Sequence, residues 1–230
     1  MVKRLEVELI EKELLDTDLY KVRFALPAGE QLEFLPGQFM SIAVDGYIRR
    51  SFSFSNPPSQ NTILETYADV SPRGPAAKFF DKVQVGEKAG ILAPLGHFLY
   101  KPAHNPVYFF AAGTGIVPFL SMIRHELEVI KSGREVHLIL GVRNQKRLTW
   151  EQELAELTSH YPNFHYQSFL SQPEGEWQGR VGRITNAISE ILETDIHAYI
   201  CGGKETVDSV DLLLLQQGVA SENIFYERYY

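Results

Sequence analysis

Val107-Tyr108-Phe109-Phe110-Ala111-Ala112-Gly113-Thr114-Gly115-Ile116-Val117-Pro118 is the stretch whose reading decides the fold. The apolar run 107–112 suits a strand buried on both faces of a sheet, where no alternation is needed. The Gly-Thr-Gly turn opens a stretch, 117–131, in which apolar residues recur at helical spacing. Strand, glycine turn and helix in that order begin a parallel βαβ unit. In that context the glycines let a backbone approach a pyrophosphate, while the helix N-terminus supplies N–H donors and a positive dipole end. Pro118 stands where such turns usually carry a third glycine, and it suits an early helical position. Taken alone, the turn is also a plain βα connection without a ligand.

The same alternation continues downstream. Residues 136–141 read as a second buried strand, 150–159 as a helix and 164–168 as a third strand. The segments 185–192, 198–201, 204–217 and 224–226 carry it to the C-terminus. A parallel sheet with helices on both faces is expected. Upstream the pattern differs. The segments 5–10, 19–26, 39–44, 50–55, 63–67 and 88–93 are short and strand-like, separated by Pro27-Ala28-Gly29, Pro36-Gly37, Asp45-Gly46, Asn56-Pro57-Pro58 and Val85-Gly86-Glu87. Only 76–83 looks helical there. The spacing predicts a six-stranded antiparallel β-barrel. Lys101-Pro102-Ala103-His104-Asn105-Pro106 reads as a linker, giving domains 1–101 and 106–230.

Bulk composition narrows the chemistry. The 230 residues are 44% hydrophobic and 22% charged, the balance of a globular chain long enough for two cores. A net charge of −7 argues against nucleic acid as a partner, because phosphate backbones need a basic face. The single cysteine, Cys201, excludes a disulfide within the chain and a Cys-ligated iron–sulfur cluster. The histidines show no metal-binding spacing, so no metal site is expected. The N-terminal stretch lacks the apolar core of a signal peptide, and no apolar run approaches a membrane span. A reduced, cytoplasmic setting without membrane insertion is the expectation.

A second motif, Arg50-Ser51-Phe52-Ser53-Phe54-Ser55-Asn56, lies in the barrel half. An arginine can neutralise phosphates, an aromatic ring can lie on an isoalloxazine, and a serine hydroxyl can hydrogen-bond a ring nitrogen. Alternation would place Ser51, Ser53 and Ser55 on one face and Phe52 and Phe54 on the other. By itself this is also an ordinary strand with one hydrophobic face. The order of motifs is more specific: Pro36-Gly37-Gln38-Phe39, the Arg–Ser–Phe–Ser segment, Pro94-Leu95-Gly96-His97-Phe98, the Gly-Thr-Gly turn, Gly141-Val142-Arg143, Tyr199-Ile200-Cys201-Gly202-Gly203 and Tyr226-Glu227-Arg228-Tyr229-Tyr230.

In that order and spacing the chain resembles the ferredoxin–NADP reductase superfamily over essentially its whole length. The resemblance implies an FAD-binding barrel followed by a nicotinamide-nucleotide-binding α/β domain, with the two cofactors meeting between them. It assigns Arg50 to the flavin phosphates, Phe52 to flavin stacking and Ser53 to a hydrogen bond at flavin N5, with Ser51 and Tyr67 beside the ring. Gly74-Pro75-Ala76-Ala77 matches the loop and helix start that hold the FAD pyrophosphate. Relatives usually carry tyrosine where Phe52 stands and serine or threonine where Ala77 stands. Gly113, Thr114 and Gly115 match the nucleotide pyrophosphate turn, and Arg143 a position near the adenosine ribose. Cys201 and Gly202 match the pair beside the nicotinamide, where Cys201 would aim the ring by packing. Glu227 matches a near-terminal acid at the reaction centre, and Tyr229 a terminal aromatic over the flavin. Ser53, Cys201 and Glu227 are thus the expected catalytic residues.

Arg143, Lys146 and Arg147 form a small basic cluster with no acid directly after their strand, which leans the coenzyme towards NADPH over NADH. Two enzymatic readings and one non-enzymatic reading follow. The chain is a reductase for a carrier protein (ferredoxin, flavodoxin or an oxygenase component), a reductase of free flavin, or a flavin-binding redox-sensing subunit. An acidic carrier would need a basic patch, for which Lys78, Lys82, Lys88 and Lys101 are candidates.

Overall fold

Strands dominate the first hundred residues because β-branched, aromatic and alternating residues are interrupted only by turn formers. The computed structural model describes residues 1–229. Its first sheet contains β1 (Lys3–Asp16), β2 (Leu19–Ala25), β3 (Phe39–Asp45), β4 (Ile48–Ser53), β5 (Ile63–Asp69) and β6 (Lys88–Leu95). They pair antiparallel in the order β4-β3-β6-β1-β2-β5, as the six-stranded expectation requires. The sheet curls so that its two edges meet just past β4. There the Ser55 N–H donates to the Glu65 carbonyl at 2.9 Å, and Thr66 Oγ1 donates to the Ser53 carbonyl at 2.7 Å. Inside the curl Val7, Val22, Phe24, Met40, Ile42, Phe54, Leu64 and Phe80 form one apolar core.

β1 runs well beyond the expected 5–10. Its polar continuation Glu11-Lys12-Glu13 pairs with β2 across a register shift between Leu9 and Glu11. The Lys12 ammonium donates to the carbonyls of Phe80 and Val83, at 3.0 and 2.8 Å. It thereby caps the C-terminal end of α1 (Pro75–Lys82), where a cation complements the helix dipole.

A second sheet contains β7 (Val107–Ala112), β8 (Val136–Val142), β9 (Phe164–Leu170), β10 (Arg180–Val181), β11 (His197–Gly203) and β12 (Ile224–Tyr229). All its pairings are parallel, in the order β10-β9-β8-β7-β11-β12. On one face Tyr108, Phe110, Ile139 and Phe169 pack against Ile184, Ile188, Val207 and Leu214. The helices are α2 (Val117–Arg124), α3 (Glu151–His160) and α4 (Lys204–Gln217). The stretch expected as one helix over 117–131 is α-helical only to Arg124 and continues as a π-helical turn over His125–Ile130. The short strand β10 had no sequence signal, since two residues carry no period.

By its contacts the chain divides into two units. The first comprises Met1–Lys101 with Val117–Val129, and the second comprises Pro102–Ile116 with Ile130–Tyr230. Helix α2 therefore belongs with the antiparallel sheet although it follows the first parallel strand. Ser121 Oγ donates to the Asn56 carbonyl at 2.8 Å, and the Phe98 and Phe119 rings lie 6.0 Å apart.

Candidate functional site

In the second unit, β7 and β11 are neighbours, with Ala111 opposite Cys201. The strand order reverses between them, because β7 leads to β8 on its other side. The crevice outside the carboxyl ends of two such strands is where open α/β sheets take ligands. The Gly-Thr-Gly turn ends β7 at this position. Gly113 has φ +56, and a Cβ there would project into open space, leaving an uncovered cradle. Gly115 is the opposite case: a Cβ would lie 2.2 Å from the Cys201 carbonyl oxygen, so the turn sits directly on the end of β11. A Cβ at Gly202 would meet that of Ala112 at 2.8 Å. Thr114 is half-buried between the two glycines. An open backbone turn of this kind fits a pyrophosphate.

Cys201 is fully buried and opposite Glu227 in the β11–β12 register. Burial pushes its thiol well above the usual range, and the Glu227 carboxylate adds to this. The Tyr229 side chain, hydrogen-bonded to the sulfur, opposes the shift. A thiol so protonated is no nucleophile at neutral pH. Burial pushes the Glu227 carboxyl up to about 7. Tyr229 is the last residue of β12, opposite Gly203, so the segment is strand and not a loose tail. Arg143 lies exposed just past the end of β8, with Nε donating to Gln172 Oε1 at 2.8 Å.

In the first unit, Arg50 and Ser51 are exposed on the edge strand β4, and Arg50 Nη1 donates to its neighbour's carbonyl, Arg49 O, at 2.8 Å. Phe52 is half-buried, its ring edge-on to Phe80 of α1 at 5.2 Å. Ser53 and Tyr67 are buried, 6% and 5% exposed. Simple alternation fails here: Ser53, Phe54, Ser55 and Asn56 are all buried as the chain leaves β4. Helix α1 starts at Pro75 after Gly74, where a Cβ would again meet nothing, and Ala77 points into the core at 3% exposure. An exposed arginine and an uncovered helix start are both groups that suit a diphosphate. The structure thus brings Arg50–Ser53, Tyr67 and Gly74–Ala77 onto one unit, and Gly113–Gly115, Cys201, Gly202, Glu227 and Tyr229 onto the other.

A buried network behind β4 escaped the sequence reading. Glu65 Oε1 accepts from Ser55 Oγ at 2.8 Å and from Arg124 Nη1 at 3.0 Å, and Lys21 Nζ lies 3.5 Å from Oε2. Asn56 Oδ1 accepts from the Glu65 N–H at 2.8 Å, and Arg124 also donates to the Ser55 carbonyl. Burial would raise the Glu65 carboxyl, but Arg124 and Lys21 outweigh it and hold it below its ordinary value. The signal was present: a lone glutamate in a strand otherwise fit for burial on both faces demands partners.

Lys78, Lys82 and Lys88 line an open cavity of about 670 Å³ with Val44, Pro75, Phe79 and Val83, and Asp45 and Glu87 temper its charge. Lys88 is paired with Glu6 at 2.9 Å. Among the described residues no group of three or more His, Cys, Asp or Glu is placed to hold a metal ion. No helix among them is long and apolar enough to cross a membrane.

The two halves of the chain match two different families. Residues 6–100 match the oxidoreductase FAD-binding domain family, and residues 109–211 the oxidoreductase NAD-binding domain family. The chain is 30% identical over 204 residues to the anthranilate 1,2-dioxygenase electron transfer component of Acinetobacter baylyi, an alignment covering 87% of this chain and 59% of that protein. It is 31% identical to the phenol 2-monooxygenase reductase component DmpP of a Pseudomonas species, covering 86% of this chain and 58% of that one. It therefore spans about three fifths of the length of these relatives. Among solved structures, a cytochrome P450 reductase of Amycolatopsis superposes with a TM-score of 0.91 at 25% identity, covering 99% of this chain and 70% of that one. A ferredoxin NADP+ reductase of Neisseria gonorrhoeae with bound FAD and NADP superposes at 0.85 and 22% identity, covering 99% of both chains. With an FAD-binding domain on the antiparallel sheet and an NAD-binding domain on the parallel one, the chain belongs to the FAD- and NAD(P)-binding oxidoreductases of the ferredoxin–NADP reductase superfamily.

Proposed function

We propose that this chain takes reducing equivalents from NAD(P)H onto FAD and delivers them to a separate electron carrier or oxygenase component. The carrying observation is the packing of Gly115 on Cys201, with Glu227 opposite, at the switch point of a nucleotide-binding sheet. Relatives described as electron transfer or reductase components of oxygenases support the direction of flow. We assign FAD binding to 1–101 and nucleotide binding to 106–230, in a cytoplasmic setting consistent with one buried, reduced thiol.

A bound FAD would supply hydride acceptance and onward release of electrons. The chain itself binds and orients. Arg50 and the α1 start at Gly74–Ala77 neutralise the flavin diphosphate, Phe52 stacks, Ser51 and Tyr67 flank the ring, and Ser53 donates to N5. Gly113–Gly115 hold the nucleotide pyrophosphate, with Arg143 towards the adenosine. Cys201 and Gly202 would set the nicotinamide plane by packing, Glu227 would hold a proton near it, and Tyr229 is the aromatic this strand offers to a flavin. The lysine-lined cavity is our candidate docking surface for an acidic carrier, since Lys78 and Lys82 stand exposed at its rim.

The test is the protein as purified. It should be yellow, release FAD on heating, and bleach on addition of NADH or NADPH. A preparation that neither holds nor reduces any flavin refutes the assignment. A second reading, reduction of free flavin as a substrate, is favoured by Phe52 and Ala77, which offer no hydroxyl to a bound FAD. Colourless protein with rapid turnover of added riboflavin or FMN would select it.

A further inference from the structure

The sequence shows no acid directly after β8, the position where dinucleotide-binding sheets usually read the adenosine ribose. The structure supplies one from another strand. The loops after β8 and β9 run on together: Ser171 N–H donates to the Val142 carbonyl at 3.0 Å, and Gln172 N–H to the Arg143 carbonyl at 2.8 Å. Two residues further, Gln145 and Glu174 exchange hydrogen bonds, Gln145 Nε2 to Glu174 O at 2.7 Å and Glu174 N–H to Gln145 Oε1 at 3.0 Å. This double clamp fixes the Glu174 carboxylate beside residues 144–146. Oε1 accepts from Asn144 Nδ2 at 2.9 Å, and Oε2 pairs with Lys146 Nζ at 3.1 Å.

The basic cluster is therefore partly engaged. Lys146 faces Glu174, Arg143 Nε is bonded to the neutral amide of Gln172, and a carboxylate stands among them. Each carboxylate oxygen has two lone pairs, so both retain accepting capacity towards solvent, where the Glu174 side chain is 59% exposed. A ribose diol can donate to such a group. A 2′-phosphate, carrying like charge, is disfavoured there.

Resting on the dinucleotide reading of this sheet, we propose that Glu174 sets the coenzyme preference of the site. It accepts from the 2′-hydroxyl of an unphosphorylated adenosine ribose and selects NADH over NADPH. The basic residues alone favour NADPH, and the carboxylate that meets them reverses that preference.

The experiment compares the full chain with Glu174→Gln, which keeps the side-chain length and a hydrogen bond to Asn144. Binding of 5′-AMP and of adenosine 2′,5′-bisphosphate is measured by titration calorimetry, and kcat/KM for NADH and NADPH with ferricyanide as acceptor. The wild type should favour 5′-AMP and NADH. The variant should shift the ratio of the two nucleotides by about tenfold towards the 2′-phosphorylated one, through KM and not kcat. Wild-type preference for the 2′-phosphorylated nucleotide, or an unchanged ratio in Glu174→Gln, overturns the role of Glu174 while leaving the dinucleotide site standing. Absence of binding by both nucleotides overturns the site together with it.

Discussion

The two units build their sites from different materials. In the parallel-sheet unit the candidate site is largely backbone: a turn seated on a strand end, with Gly115 where a side chain would strike the Cys201 carbonyl. In the antiparallel unit the site is side chains, backed by Ser55, Asn56, Glu65 and Arg124 drawn from three separated segments. A backbone site tolerates no added atom where the turn meets the strand, at Gly115, but needs few particular neighbours. A side-chain site tolerates small changes at its rim and depends on charges that lie behind it.

The sharpest way to break this contrast is Gly115→Val. A branched side chain would press on the backbone of Cys201, which has no rotamer to yield, so nucleotide affinity should fall by about 100-fold or more while flavin is retained. Titration with AMP reads it, and near-normal affinity would show that the turn is not held as described. Next in size is Glu65→Ala, which removes the carboxylate that faces Arg124 and Lys21 in a buried network. It should cost about 3 kcal/mol in urea unfolding, as the removal of one partner from a buried pair does. A loss below about 1 kcal/mol would mean that the network holds together without the Glu65 carboxylate.

Smaller effects separate rim from support. Arg50→Ala should weaken FAD binding by about tenfold and leave the melting temperature of the flavin-free protein unchanged, because the side chain is exposed. Glu227→Gln probes the electrostatics of the backbone site. Its carboxyl sits at about 7 in the folded chain against an ordinary 4.5, so the folded state holds the proton more tightly. Stability therefore falls as pH rises from 4.5 through 7, and the amide removes that penalty. The variant should match the wild type at about pH 4 and exceed it at about pH 8 by on the order of 1 kcal/mol, allowing for the solvated part of the side chain. Thermal melts at both values check the sign.

The legibility of the sequence follows the same division. The β7 turn and the run of buried parallel strands could be read because apolar runs and glycines express local requirements. The extent of β1 could not, since Glu11–Asp16 looks like surface until β2 is laid beside it. Ser55 and Asn56 were read as an alternating strand and a turn, whereas the structure buries both behind Glu65 and Arg124. Such partners are separated by up to 69 residues, and no local pattern joins them. Glu174 was silent for a related reason: its meaning comes from the loop it lies against, not from its own neighbours.

Helix α2 has a practical consequence for anyone cutting the gene. Because 117–129 completes the first unit, a fragment ending at the linker would lack Phe119, Ser121 and Arg124 and deprive the Glu65 carboxylate of the Arg124 guanidinium. Chimeras that trade cofactor halves between homologues at residue 101 would carry a foreign plug into the host's interior. Such exchanges call for transplanting the helix along with the barrel, as a discontinuous insert.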